Sequence, residues 1–176
     1  MNVSYELIIP PVILGILIMM VVSSNVLLVN SSVENQSTYH IQSNANNAVM
    51  LIQEEIKYLQ RIKTANGSVL EFVEKTSDTS DSTDVRIYKQ NEYLIIERTP
   101  DGGSITTQDY FLRLNSITFE ETVHGTTSAP FLKVVVETIT SSSEQVDPDR
   151  QFKASAELSI YLKNLHVSGI FYTDGS

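Results

Sequence analysis

Three periods of hydrophobicity follow one another along the chain. From Leu7 to Val29 the residues are apolar, with Ser23, Ser24 and Asn25 as the polar interruptions. A helix rising 1.5 Å per residue over that stretch covers a hydrocarbon core of about 30 Å, so the run predicts a single membrane pass. Next, Ile41, Ala45, Ala48, Ile52, Ile56, Leu59 and Ile62 recur every three or four residues, which places them on one face of a helix. That periodicity predicts helix over roughly 33–63 with its stop at Asn66-Gly67. Read as nearly continuous with the membrane span it makes one long rod whose expected break is the polar patch Asn30 to Ser37, and a separate amphipathic helix on a flexible polar linker is the alternative.

Beyond Gly67 the period falls to two. Phe152, Ala154, Ala156, Leu158, Ile160 and Leu162 alternate with polar neighbours, as do Leu132, Val134 and Val136, and more briefly Ile117 and Phe119. Val85 to Gln90 and Tyr93 to Arg98 flank a turn at Asn91-Glu92. Pro100-Asp101-Gly102-Gly103 is a hairpin signal leading to a strand at Tyr110 to Leu114. The sum is an α+β chain: an apolar segment 1–30, an amphipathic helix 31–66, and a β-rich head 67–176 whose six or seven antiparallel strands pack on one long helix.

Pro10 and Pro11 refine the first element. Proline lacks the amide proton and suits the first helical turn, so regular helix is expected from about Pro10 onward. Glu6 then sits near unsatisfied N-terminal amides, where a carboxylate is favoured. If Glu6 instead enters the apolar layer, its charge costs on the order of 2.5–3.5 kcal/mol unless paired, and an N-terminal amine is the cation that fits. A cleaved secretory signal is the rival for the whole run, with Val22-Ser23-Ser24 as its small-residue site. Met1 to Glu6, however, holds an acid and no Lys or Arg, and the apolar stretch exceeds a usual signal core. The first base is Lys57, too distant to orient the span by positive charge.

Net charge is −9 and unevenly spread: residues 65–176 hold 17 acids against 9 bases. Such a head repels polyphosphate, so nucleic acid is an unsuitable partner. The chain has no cysteine, which removes disulfides, thiolate nucleophiles and thiolate metal sites from consideration. His40, His124 and His166 form no helical pair, and no His-Glu-x-x-His, Gly-x-Ser-x-Gly or phosphate-binding glycine loop occurs, so no enzyme is expected. Asp78, Asp81 and Asp84 offer carboxylates to a calcium ion or form a solvated loop. Their spacing is not that of a helix-loop-helix calcium site, and no other cofactor is expected. Asn30-Ser-Ser, Asn35-Gln-Ser and Asn66-Gly-Ser match a glycan acceptor pattern common in Ser-rich chains.

Glu6-Leu7-Ile8-Ile9 followed by Val12-Ile13-Leu14-Gly15-Ile16-Leu17 resembles the start of type IV pilins and type II secretion pseudopilins, in which an acid opens an apolar helix and a glycine follows nine residues later. Ile117-Thr118-Phe119, Val134-Val135-Val136 and Leu158 to Asn164 are similar to the sheet end of minor pseudopilins. The lead-in Asn2-Val3-Ser4-Tyr5 and the pair Pro10-Pro11 depart from the family's pattern. The resemblance implies a pilin-like fold, a head outside the cytoplasm, and other pilin-like subunits as partners once the chain leaves the lipid bilayer. It also implies that Glu6 pairs with the terminal amine of an adjacent subunit. A surface binding module tethered by residues 7–29 is the alternative.

Overall fold

Helix α1, Val3–Ile56, runs for 54 residues without interruption, about 81 Å at the standard rise. The computed structural model describes residues 3–75, 82–124, 129–140 and 151–162. Eight strands follow α1 among the described residues: β1 Leu59–Gly67, β2 Val69–Lys75, β3 Ser82–Gln90, β4 Tyr93–Pro100, β5 Thr106–Phe111, β6 Leu114–His124, β7 Ala129–Ile139 and β8 Lys153–Tyr161. They form one antiparallel sheet in the order β5-β4-β3-β2-β1-β6-β7-β8. The chain is therefore α+β, a long apolar N-terminal helix packed on antiparallel sheet.

The sheet has two wings. β1 and β6 join only through Asn66↔Glu120 and Gly67↔Phe119, whereas every other neighbouring pair shares a longer register. Core residues come from both wings and from the C-terminal half of α1. Leu70, Phe72, Ile87 and Ile96 on one wing and Phe119, Leu132 and Val134 on the other close around Ala48, Ile52 and Ile56. Ile41 and Ala45 are fully buried where α1 crosses β7 and β8. Alanine there lets the sheet approach closely enough for the Thr138 hydroxyl of β7 to donate to the Ile41 carbonyl at 2.8 Å. Thr138 is itself fully buried, so this bond satisfies a hydroxyl that would otherwise be costly to enclose.

Three sequence expectations are corrected. Helix begins at Val3 and passes through Pro10 and Pro11. Those residues lie two turns inside the helix and withhold amide donors from the carbonyls of Glu6 and Leu7, and the helix continues beyond them. The helix also ends at Ile56 and not near residue 63, and Leu59 and Ile62 belong to β1. Register shifts between Leu59 and Arg61 and between Ile62 and Thr64 mark two bulges. Each bulge inserts an extra residue, so Leu59, Ile62 and Ala65 face the core at a spacing of three, and a bulged strand imitates helical periodicity. The strand expected over Tyr110–Leu114 is divided at a corner where Arg113 takes φ 54° and the amides of Leu112 and Leu114 both donate to the Glu92 carbonyl. Tyr110, Leu112 and Leu114 still turn inward on either side, which explains why they read as one strand.

Two turns agree with expectation. Asn91-Glu92 joins β3 to β4, with Asn91 at φ 55°, and Pro100 to Gly103 leads out of β4. Gly67, expected to stop a helix, instead opens the two-residue turn between β1 and β2 at φ 65°, a conformation that favours glycine at the first turn position. The polar patch Asn30 to Ser37 is continuous helix and no break occurs there.

Enlarging the contact between α1 and the β7–β8 wing should destabilise the head. Ala45→Leu is expected to cost about 1–3 kcal/mol or more through overpacking, while Gln53→Leu on the exposed face should stay within about 0.5 kcal/mol. Urea unfolding of the full chain in detergent micelles, followed by tyrosine fluorescence, measures both.

Candidate assembly surface

Between Ile9 and Val29 every large apolar side chain of α1 is at least half exposed. It is the single helix among the described residues long and apolar enough to cross a membrane, and it stands near the N-terminus. Apolar surface on this scale, at about 25 cal/mol per Å², must be covered by lipid or by polypeptide. Gly15 lies within it, and a Cβ built there meets nothing within 4 Å, so no contact inside the chain requires glycine at that position. Pro10 and Pro11 are exposed on the same rod, and Glu6 lies in its first turns.

The helix face changes character after Val29. Ile41, Ala45, Ala48, Ile52 and Ile56 turn to the sheet, while Gln42, Asn46, Asn47 and Gln53 face outward together with the exposed Tyr39 and Met50. A groove of about 410 Å³ lies beside Met50, lined also by Asn47, Leu51, Glu54 and Leu112. The end of α1 carries Glu54 and Glu55 and has no base in its last turn, an arrangement the helix dipole disfavours. Arg98 of β4 compensates: its guanidinium pairs with Glu55 and lies 3.8 Å from Glu74 of β2. Burial pushes the Glu74 carboxyl above its usual range, Arg98 opposes that shift, and the nearby Glu55 adds to it.

Elsewhere the charges neutralise one another. A groove of about 270 Å³ on the outer face of the β1–β4 wing holds Lys63, Glu71, Asp84, Arg86 and Glu97. Lys63 reaches Asp84 at 2.6 Å, and Arg86 reaches Glu71 at 3.0 Å and Glu97 at 3.8 Å. Of the three aspartates considered for calcium, Asp84 is thus held by a lysine, and Asp78 and Asp81 lie outside the described residues. Among the described residues no three His, Asp or Glu side chains converge as a metal site would need. His40 is exposed on α1 beside Tyr39, His124 closes β6, and His166 lies outside the described residues.

Glu137 on β7 binds three elements together. It accepts hydrogen bonds from Asn115 at 2.8 Å and Ser116 at 3.2 Å on β6 and pairs with Lys153 of β8 at 3.1 Å. The bond from Asn115 first, then Lys153 and Ser116, hold its carboxyl below the usual range. Neither this cluster nor the Arg98 link was apparent from the sequence, because each joins strands far apart in the chain. Thr138 was more accessible to prediction, since it continues the inward series Leu132, Val134, Val136 by one further step of two.

In comparison with known proteins, no family model matches the chain, and no curated protein or solved structure matches it either.

A carboxylate held below its unfolded value contributes stability that is present above that value and lost as pH falls through the folded one. The wild-type head should therefore lose stability below the ordinary glutamate range. Glu137→Gln should remove part of that acid limb and lower stability at neutral pH. Thermal unfolding of both proteins from pH 7 down to pH 3 checks the sign.

Proposed function

We propose that this chain is a structural, pilin-like subunit. The apolar half of α1 packs with those of other subunits, the head lies outside the cytoplasm, and Glu6 sets the axial register by pairing with a neighbour's terminal amine. The observation that carries this reading is the continuity of α1 through Asn30–Ser37. A tether needs a span and any linker, whereas a subunit whose head must take a fixed place in an assembly needs the span joined rigidly to the head. The exposure of all sides of Ile9–Val29 supports packing in more than one direction. The open surroundings of Gly15 are consistent with a small residue kept for contact between helices rather than within the chain.

Glu6→Ala is expected to insert into membranes as the wild type does but to lose multimers captured by cross-linking in intact cells, and Gly15→Leu should weaken them. Wild-type levels of multimer in Glu6→Ala would overturn the register role. Full retention of function after exchanging residues 7–29 for an unrelated span would favour the tether.

A further inference from the structure

The two edges of the sheet are treated differently. β8 is guarded: α1 lies along it, Gln42 Nε2 donates to the outward carbonyl of Ser155 at 3.4 Å, and Lys153 and Glu157 place charges on the strand. Among the described residues, β5 at the other edge has no helix along it and no side chain donating to an outward carbonyl, and it carries a single charge. It pairs with β4 in unbroken register from Tyr93↔Phe111 to Arg98↔Thr106, without a bulge. Residues 104–112 contain no lysine and no proline, and Asp109 is their one charge. Soluble proteins usually blunt such an edge, so a regular and nearly uncharged one is a template for another strand.

Exposed apolar side chains gather at the same place. Outside α1, Ile105 is 65% and Phe111 52% exposed, and the Phe111 ring lies 5.1 Å from that of the partly exposed Tyr93. Backbone direction is set by the Leu112 amide, which donates toward the β4 side at Glu92. By strand alternation Tyr110, Gln108 and Thr106 also direct their backbone groups to β4. Thr107, Asp109 and Phe111 direct theirs outward.

The geometry points to β5 as a self-pairing edge that joins two copies of this chain as antiparallel neighbours centred on Gln108. In that register Phe111 faces Ile105 of the second copy, Asp109 faces Thr107, and Gln108 faces Gln108. The outward backbone groups of Thr107 and Asp109 hydrogen-bond across the junction, both exposed apolar side chains on each copy are covered, and the two Asp109 carboxylates are kept apart. Centring on Asp109 would set like charges opposite one another, which disfavours it. A single strand pair is smaller than a standard interface of about 1,600 Å², so the contact depends on concentration. It involves the head alone and goes beyond the assembly of α1.

The absence of cysteine makes the register directly testable with the full chain in detergent micelles. Gln108 residues of the two copies form a non-hydrogen-bonded pair about 4.5 Å apart between Cα atoms, a separation a disulfide spans. Gln108→Cys is therefore expected to give a covalent dimer under mild oxidation, in a yield that rises with protein concentration. Thr106→Cys, whose copies would stand roughly 14 Å apart along the strands, should stay monomeric. Adding Thr107→Pro to Gln108→Cys removes an outward amide without touching the bonds to β4 and should lower the dimer yield about tenfold or more. If that proline unfolds the head, Phe111→Ser in the same background supplies the second readout, again a lowered yield. The proposal is overturned if Gln108→Cys stays monomeric at every concentration or if Thr106→Cys cross-links equally well. Capture of a different polypeptide by Gln108→Cys in cells, without self-capture, overturns it as well.

Discussion

One helix has to satisfy two surroundings without a joint between them. From Ile9 to Val29 α1 is exposed and, apart from Ser23, Ser24 and Asn25, apolar, and from Ile41 it buries one stripe on a sheet while showing amides such as Gln42, Asn46 and Asn47 on the other side. The intervening patch holds residues that often end helices, yet the Thr38 hydroxyl donates back to the Glu34 carbonyl at 2.9 Å and Ser37 is buried. Short polar side chains can satisfy the backbone from inside a helix as well as cap it, and here they do the former. The consequence is mechanical: whatever covers the apolar half also fixes the direction of the head.

Much of this was legible from hydrophobic spacing. The long helix, its buried stripe at Ile41, Ala45, Ala48, Ile52 and Ile56, and the inward faces of β7 and β8 follow from periods of 3.6 and two. What escaped was local geometry that breaks a period. Two bulges gave β1 a spacing of three and disguised it as helix, and a left-handed residue at Arg113 turned a corner without interrupting the alternation. β2 is hard to read from the sequence although Leu70 and Phe72 alternate, since Glu74 continues their inward series and a carboxylate conceals it. Its burial makes sense only once Arg98 arrives from another strand.

The candidate surface was legible in a different way. Composition located the apolar run, and residue identity marked Glu6 and Gly15 within it, but neither can say how the run is attached to the head. That depended on whether Asn30–Ser37 is helical, a question propensity answers poorly because Ser, Thr and Asn are at home both in caps and in solvated helix.

The narrow joint between β1 and β6 has a structural counterpart in Arg98. With two residue pairs bridging the wings, backbone hydrogen bonding does little to hold β2–β5 at a set angle to β6–β8. Two other contacts do so: the shared apolar core around Ile52 and Ile56, and the guanidinium that gathers Glu55 of α1 and Glu74 of β2 from β4. The core supplies most of the free energy but little direction. The partly buried ionic link supplies direction, because removing the arginine would leave two carboxylates close together at the disfavoured end of a helix dipole. The far wing is thus oriented by the same helix that carries the apolar segment, which places the unguarded β5 edge in a fixed relation to that segment.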